Sequence, residues 1–227
     1  MLALNALVDL FFPRICAGCS NPITDEEAAV CARCLHDLPL TDHFTNPENE
    51  VMRRFYGRLP LVHAAAFCYY HKKGLVQQLI HNMKYRGATE IGTVIGSYAA
   101  AQWRSAGTLP PITDVVPVPL HPKRLRERGY NQVDGFAKAI AAELSLNFSP
   151  ELLVRNQYRK SQTRKNLLAR TEINDSLFAA SNSLPDGRHI LLVDDVITTG
   201  STLEACGRAL LSISNVQLSI VCMAMSH

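Results

Sequence analysis

Asp194 and Asp195 stand side by side at the end of an apolar run, Ile190-Leu191-Leu192-Val193, and just ahead of Thr198-Thr199-Gly200-Ser201-Thr202. A small, hydroxyl-rich turn opening a helix leaves backbone N–H groups unpaired and aimed at one spot, which makes an anion cradle. Two carboxylates beside such a cradle would repel a bare anion, so the ligand must also carry hydroxyls. A ribose 5-phosphate meets both demands: its hydroxyls donate to the aspartates and its phosphate sits on the turn. The other phosphate loop of this general kind, GxxxxGK[ST], is absent.

A second constellation is Cys16-Ala17-Gly18-Cys19 with Cys31-Ala32-Arg33-Cys34, two CxxC knuckles separated by eleven residues. Each knuckle brings two thiolates to one metal, and two knuckles complete a tetrahedron, so Cys16, Cys19, Cys31 and Cys34 are read as a structural zinc site. Disulfides, a redox pair and an iron–sulfur site are the alternatives. Gly18 suits a tight turn inside the knuckle. A third group is cationic. Lys123, Arg124, Arg126 and Arg128 follow the run Asp114–Leu120, and residues 155–170 are basic throughout. Lys123 and Arg124 are candidates for a pyrophosphate or another polyanion, because ligands collect beyond the carboxyl ends of sheet strands and arginine grips two phosphate oxygens.

These residues need a frame. The run 190–193 reads as a buried parallel strand, and Leu203, Cys206, Gly207 and Leu210 as one face of the helix after it, with Ser201 and Glu204 at capping-box spacing. Ala64–Tyr70 and Val216–Met225 read as further strands. Leu75 to Met83 form a helical stripe that ends in Lys84-Tyr85-Arg86-Gly87, with cations in the last turn and glycine just beyond. A second stripe runs from Ile91 to Tyr98. Asp114–Leu120, a polar loop over 121–132 and a helix from Val133 to Leu144 make another βα unit of the same sheet. The expected fold is therefore α/β with a mostly parallel sheet. It divides into an N-terminal short amphipathic helix and zinc ribbon over residues 1–40, a linker over 41–60 and the main domain over 61–227.

Composition narrows the function. The chain has 227 residues, 47% hydrophobic and 19% charged, with a net charge of +3. General DNA binding is not implied by that charge, and any nucleic-acid affinity must come from local patches. No stretch reaches a membrane-spanning length. The apolar start, Met1 to Phe12, lacks a basic beginning and a small-residue cleavage site. The cytoplasm is the expected location. Cys68, Cys206 and Cys222, scattered among apolar residues, read as small buried hydrophobes.

The string Leu191–Thr202 resembles the phosphoribosyl pyrophosphate (PRPP) motif of type I phosphoribosyltransferases. The resemblance implies that Asp194 and Asp195 hold the ribose, that Thr198, Thr199, Gly200, Ser201 and Thr202 bind the 5-phosphate, and that Mg²⁺ accompanies PRPP. It also implies a loop that closes over the substrates just before this strand, here the stretch holding Gln162, Thr163, Arg164 and Arg170. Taken with the knuckles, with Lys84–Gly87 and with Val116–Gln132, the whole chain resembles the ComF/GntX family, closest to the enterobacterial GntX type. That resemblance implies a cytoplasmic role in the uptake or use of extracellular DNA, as nutrient or in competence. Single-stranded DNA or a DNA-uptake helicase would be partners beside PRPP or another ribose phosphate. The alternatives are an active phosphoribosyltransferase of nucleotide salvage, a PRPP-sensing regulator and a link to gluconate metabolism.

Overall fold

A computed structural model describes residues 13–24, 26–156, 177–181 and 185–226. The amphipathic start and most of the basic stretch, including Gln162, Thr163, Arg164 and Arg170, lie outside the described residues. At the centre is a five-stranded sheet built from β1 (His63–Tyr70), β2 (Asp114–Pro117), β3 (Asn147–Phe148), β6 (His189–Ile197) and β7 (Gln217–Ser226), in the order β1-β7-β6-β2-β3. Every pairing in it is parallel. Two short strands, β4 (Leu153–Arg155) and β5 (Phe178–Ala180), pair antiparallel beside it.

Both faces of the sheet are covered, which is why its central strands are apolar without alternation. Along β6, Leu191 and Val193 pack into one core and Ile190 and Leu192 into the other. The first core takes helices α3 (Leu75–Tyr85), α4 (Glu90–Ala106) and α6 (Asp134–Leu144), through Leu79, Ile95 and Phe136. The four-cysteine ribbon, with its short helix α1 (Ala32–His36), also belongs to this side, since Cys16 and Cys34 are part of that core. The second core takes α2 (Glu50–Arg54) and α7 (Ser201–Leu210), through Val51, Phe55, Leu203 and Cys206.

The polar, proline-bearing stretch read as a linker is packed. Phe44 enters the first core, and Val51, Phe55 and Leu59 enter the second. Asn49 caps α2 with its side-chain oxygen on the Met52 amide at 3.0 Å and donates to the Ala64 carbonyl of β1 at 2.8 Å. The remaining differences are local. Residues 122–128 form a helix, α5 (Pro122–Arg128), where a loop was expected; Pro122 fits its first turn, and Gly129 stops it in the left-handed region at φ +80°. Cys68, Cys206 and Cys222 are buried as expected. Among the described residues no helix is long and apolar enough to cross a membrane.

Candidate functional site

The carboxyl ends of β2 and β6 open onto a cleft of about 710 Å³, lined among others by Lys84, Arg124, Arg128, Arg155, Asp194, Asp195 and Thr202. Asp194 and Asp195 lie in the C-terminal half of β6. Each folds one oxygen back on the next amide: Asp195 N–H donates to Asp194 Oδ1 at 2.8 Å, and Val196 N–H donates to Asp195 Oδ1 at 2.7 Å. Asp195 is only 7% exposed, and its second oxygen is held twice, by Lys84 Nζ at 2.9 Å and by Gln132 Nε2 at 2.8 Å. Gln132 accepts in turn from Arg128 Nη1 at 2.7 Å. Asp194 is half-buried, and its Oδ2 has no partner among the described residues. Withdrawal from water, reinforced by the neighbouring Asp195 charge, pushes its pKa up to about 8, against a smaller opposing pull from Lys84.

The turn after β6 leaves backbone amides unpaired at the start of a helix. Gly200 precedes helix α7 at the N-cap position, in the left-handed region at φ +78°, and no side chain caps the helix. The expected capping box does not form, because Glu204 is drawn away: it pairs with Arg58 at 2.5 Å and with Arg208 at 2.8 Å. Thr199 and Ser201 join hydroxyls at 3.0 Å, and Thr199 Oγ1 also accepts the Ser201 amide at 3.4 Å. Among the described residues the N–H groups of Thr199, Gly200 and Thr202 have no hydrogen-bond partner. Thr198, Thr199, Ser201 and Thr202 are exposed; Thr202 lines the cleft, and Thr198 lines a depression adjoining it with Lys84 and Tyr85.

The cations are sorted by the helix they sit on. With 3.6 residues per turn, positions 123 and 127 share one side of α5 and 124 and 128 another. Lys123 pairs with Glu127 at 3.9 Å with 74% of its side chain exposed, and it does not line the cleft. Arg124 and Arg128 do. Residue types alone do not separate Lys123 from Arg124; the cleft lining does, and it also includes Glu127, the partner of Lys123. Two site residues escaped the sequence reading. In the sequence Lys84 is one of the cations at a helix end; in the fold it neutralises Asp195. Gln132 carried no signal beyond its place after a basic segment. Tyr85, 68% exposed, stands at the cleft rim with the Arg128 guanidinium 5.2 Å from its ring centre.

At the ribbon the sulfurs of Cys16, Cys19, Cys31 and Cys34 all lie within 4.8 Å of one another, a cluster that could hold one metal ion. The Cys19 and Cys31 sulfurs are 3.8 Å apart, about the spacing that tetrahedral Zn–S bonds of about 2.3 Å demand. Burial alone would push the Cys16 thiol up, but its sulfur accepts the amides of Gly18 and Cys31 at 3.3 Å each, and its pKa falls to about 6. Gly18 serves packing rather than a special turn: a Cβ there would lie 2.5 Å from Leu75 Cδ1 and 3.0 Å from Cys34 Sγ. The ribbon is tied to the main domain by Asn82 of α3, which donates to the Ala17 carbonyl at 2.7 Å.

Known proteins are similar to this chain in sequence. The phosphoribosyl transferase domain model matches residues 135–226, which include both aspartates and the turn. DNA utilization protein YhgH of Escherichia coli (strain K12) is 28% identical, covering 92% of this chain and 89% of its own. Competence protein ComFC of Bacillus subtilis (strain 168) is 24% identical over 87% of this chain and 78% of its own. Competence protein F of Haemophilus influenzae is 34% identical over 42% and 43%. Over most of its length the chain is thus similar to DNA utilization and competence proteins of the ComF/YhgH kind. Its fold is that of a phosphoribosyltransferase domain on a parallel sheet, with a four-cysteine ribbon packed against it.

Proposed function

We propose that the cleft binds PRPP and that this binding serves the use of extracellular DNA. The observation that carries the reading is the pairing of an aspartate doublet with an uncapped helix N-terminus in one cleft, ringed by Lys84, Arg124, Arg128 and Arg155. Asp195, fixed by Lys84 and Gln132, anchors one ribose hydroxyl. Asp194 offers its second oxygen to another and, once ionised, faces the positive charge that grows on the ribose ring as pyrophosphate departs. The unpaired amides of Thr199, Gly200 and Thr202 take the 5-phosphate. Arg124, Arg128 and Arg155 neutralise the pyrophosphate. The carboxylate and phosphate oxygens suit Mg²⁺, which supplies further charge neutralisation of the leaving group when bound.

Zinc is the metal we assign to the four sulfurs; an all-thiolate tetrahedron with donated N–H···S bonds fits it, and it would supply folding energy to a segment of few apolar residues. Cysteines without disulfide partners and a PRPP ligand both suit the cytoplasm. The link to DNA rests on the names of the relatives above, and wild-type growth on DNA after deletion of the gene would remove it.

The cleft is tested by calorimetric titration of zinc-loaded protein with PRPP and Mg²⁺, beside the Asp194→Asn/Asp195→Asn double variant. Binding that the variant loses supports the reading, and no binding by the wild type overturns it. Turnover of PRPP with a nucleobase would make the chain a working transferase; binding without turnover would make it a PRPP sensor.

A further inference from the structure

The phosphate turn is gripped from behind by residues far from it in sequence. Arg54, at the end of α2, donates through Nη1 to the Thr198 carbonyl and through Nη2 to the Ser226 carbonyl at 2.8 Å. Arg58, one turn on, donates through Nη1 to the Thr199 carbonyl at 2.9 Å, while Nε and Nη2 clamp Glu204 of α7 at 2.8 and 2.5 Å. Between them the Phe55 ring lies against Gly200; a Cβ on that glycine would sit 3.0 Å from Phe55 Cζ.

The covalent geometry gives these contacts a direction. A trans peptide points its C=O and its N–H to opposite sides, and the described chain has no cis bond. Pinning the Thr198 carbonyl on Arg54 therefore turns the Thr199 N–H away from α2. Pinning the Thr199 carbonyl on Arg58 does the same for the Gly200 N–H. Those are two of the unpartnered amides of the turn.

We propose that Arg54 and Arg58 are positioning residues that fix two peptide planes of the phosphate turn, so that the Thr199 and Gly200 amides are aimed at an incoming phosphate before it arrives. The inference rests on the reading of this turn as a 5-phosphate site and assigns its preorganisation to a segment outside the matched domain of residues 135–226. Neither arginine touches the ligand. Each acts through one carbonyl, so each controls one named amide.

The test is titration of ¹⁵N-labelled, zinc-loaded full chain with ribose 5-phosphate, for wild type, Arg54→Gln and Arg58→Gln. In the wild type the Thr199 and Gly200 amide resonances shift on binding. Arg54→Gln abolishes the Thr199 response and Arg58→Gln the Gly200 response, with affinity falling roughly tenfold in each. A merely structural role would not separate the two amides. Should Arg58→Gln fail to fold, Arg58→Lys, which keeps a charge opposite Glu204 but lacks the fork, decides in its place. Wild-type affinity and wild-type amide shifts in the variants overturn the proposal while leaving the phosphate site standing. No response of the wild-type protein to ribose 5-phosphate overturns the site, and this proposal with it.

Discussion

Two acidic positions at opposite ends of the same sheet have opposite fates. Asp114 begins β2 at the amino edge and is 4% exposed. Ser149 Oγ donates to its Oδ1 at 3.0 Å, and Thr113 Oγ1 and Arg188 Nη1 donate to its Oδ2 at 2.7 and 3.3 Å. Three donors and near-complete burial leave it closed to a ligand. The doublet at the carboxyl edge of β6 is instead crowded and open to the cleft, and among the described residues Asp194 keeps one oxygen without a partner. A buried carboxylate held by donors on both oxygens, away from any cavity, ties neighbouring segments together. One whose charge is disfavoured by a like neighbour, in front of a cavity, is poised for a partner that brings cations and hydroxyls.

The sharpest way to break this contrast is to neutralise each edge in turn. Asp195→Asn should reduce PRPP affinity by roughly a hundredfold, because it removes a charged hydrogen-bond acceptor and frees Lys84 to compete for the phosphates. Its melting temperature should stay close to wild type. Asp114→Ala should do the reverse. It strands Arg188, Ser149 and Thr113, costs about 2–3 kcal/mol by denaturant titration, and leaves the affinity of the surviving folded protein unchanged.

A smaller effect is written in pH. The folded-state pKa of Asp194 is raised to about 8, far above the roughly 3.9 of an unfolded chain. The folded form thus holds a proton that the unfolded form has lost. The stability this group contributes is complete below about pH 4 and disappears as pH rises towards about 8. His63, whose buried ring is held down to about 4, works in the opposite direction, so the difference between two curves is the useful measurement. Melting temperatures of wild type and Asp194→Asn should diverge steadily from acid to mildly alkaline pH, in favour of the variant. Parallel curves would show that the doublet is no more strained than Asp114. Smallest of all, Lys123→Ala should change PRPP affinity by less than about twofold, since Lys123 faces solvent beside Glu127; a loss equal to that of Arg124→Ala would place it in the cleft after all.

Much of the frame was legible because periodicity reports burial. The strand and helix around Asp194 to Leu210, the α3 stripe and the cysteine knuckles each carry a local pattern that the fold keeps. What stayed hidden depends on pairs distant in the chain. Lys84 looks like an ordinary helix-end cation until α3 is laid against β6. Arg54 and Arg58 sit in a stretch whose prolines and polar residues mimic a linker, although Val51 and Phe55 anchor it. The capping box failed for a related reason: Glu204 has a better partner in Arg58 than in a local amide, a fact no window around Glu204 contains.

The strand order has a consequence for how the protein is made. β7 lies between β1 and β6, so the first strand of the sheet can pair only with the last. A nascent chain that has already exposed the cysteine knuckles, β1, β2 and both aspartates still has a gap in the middle of its sheet. The cleft cannot assemble by growing outward from its own matched segment, and folding must wait until β7 leaves the ribosome. Such long-range parallel closure is slow and leaves unpaired strand edges exposed meanwhile, so premature termination just before Gln217 should yield an aggregating product rather than a weakened binder.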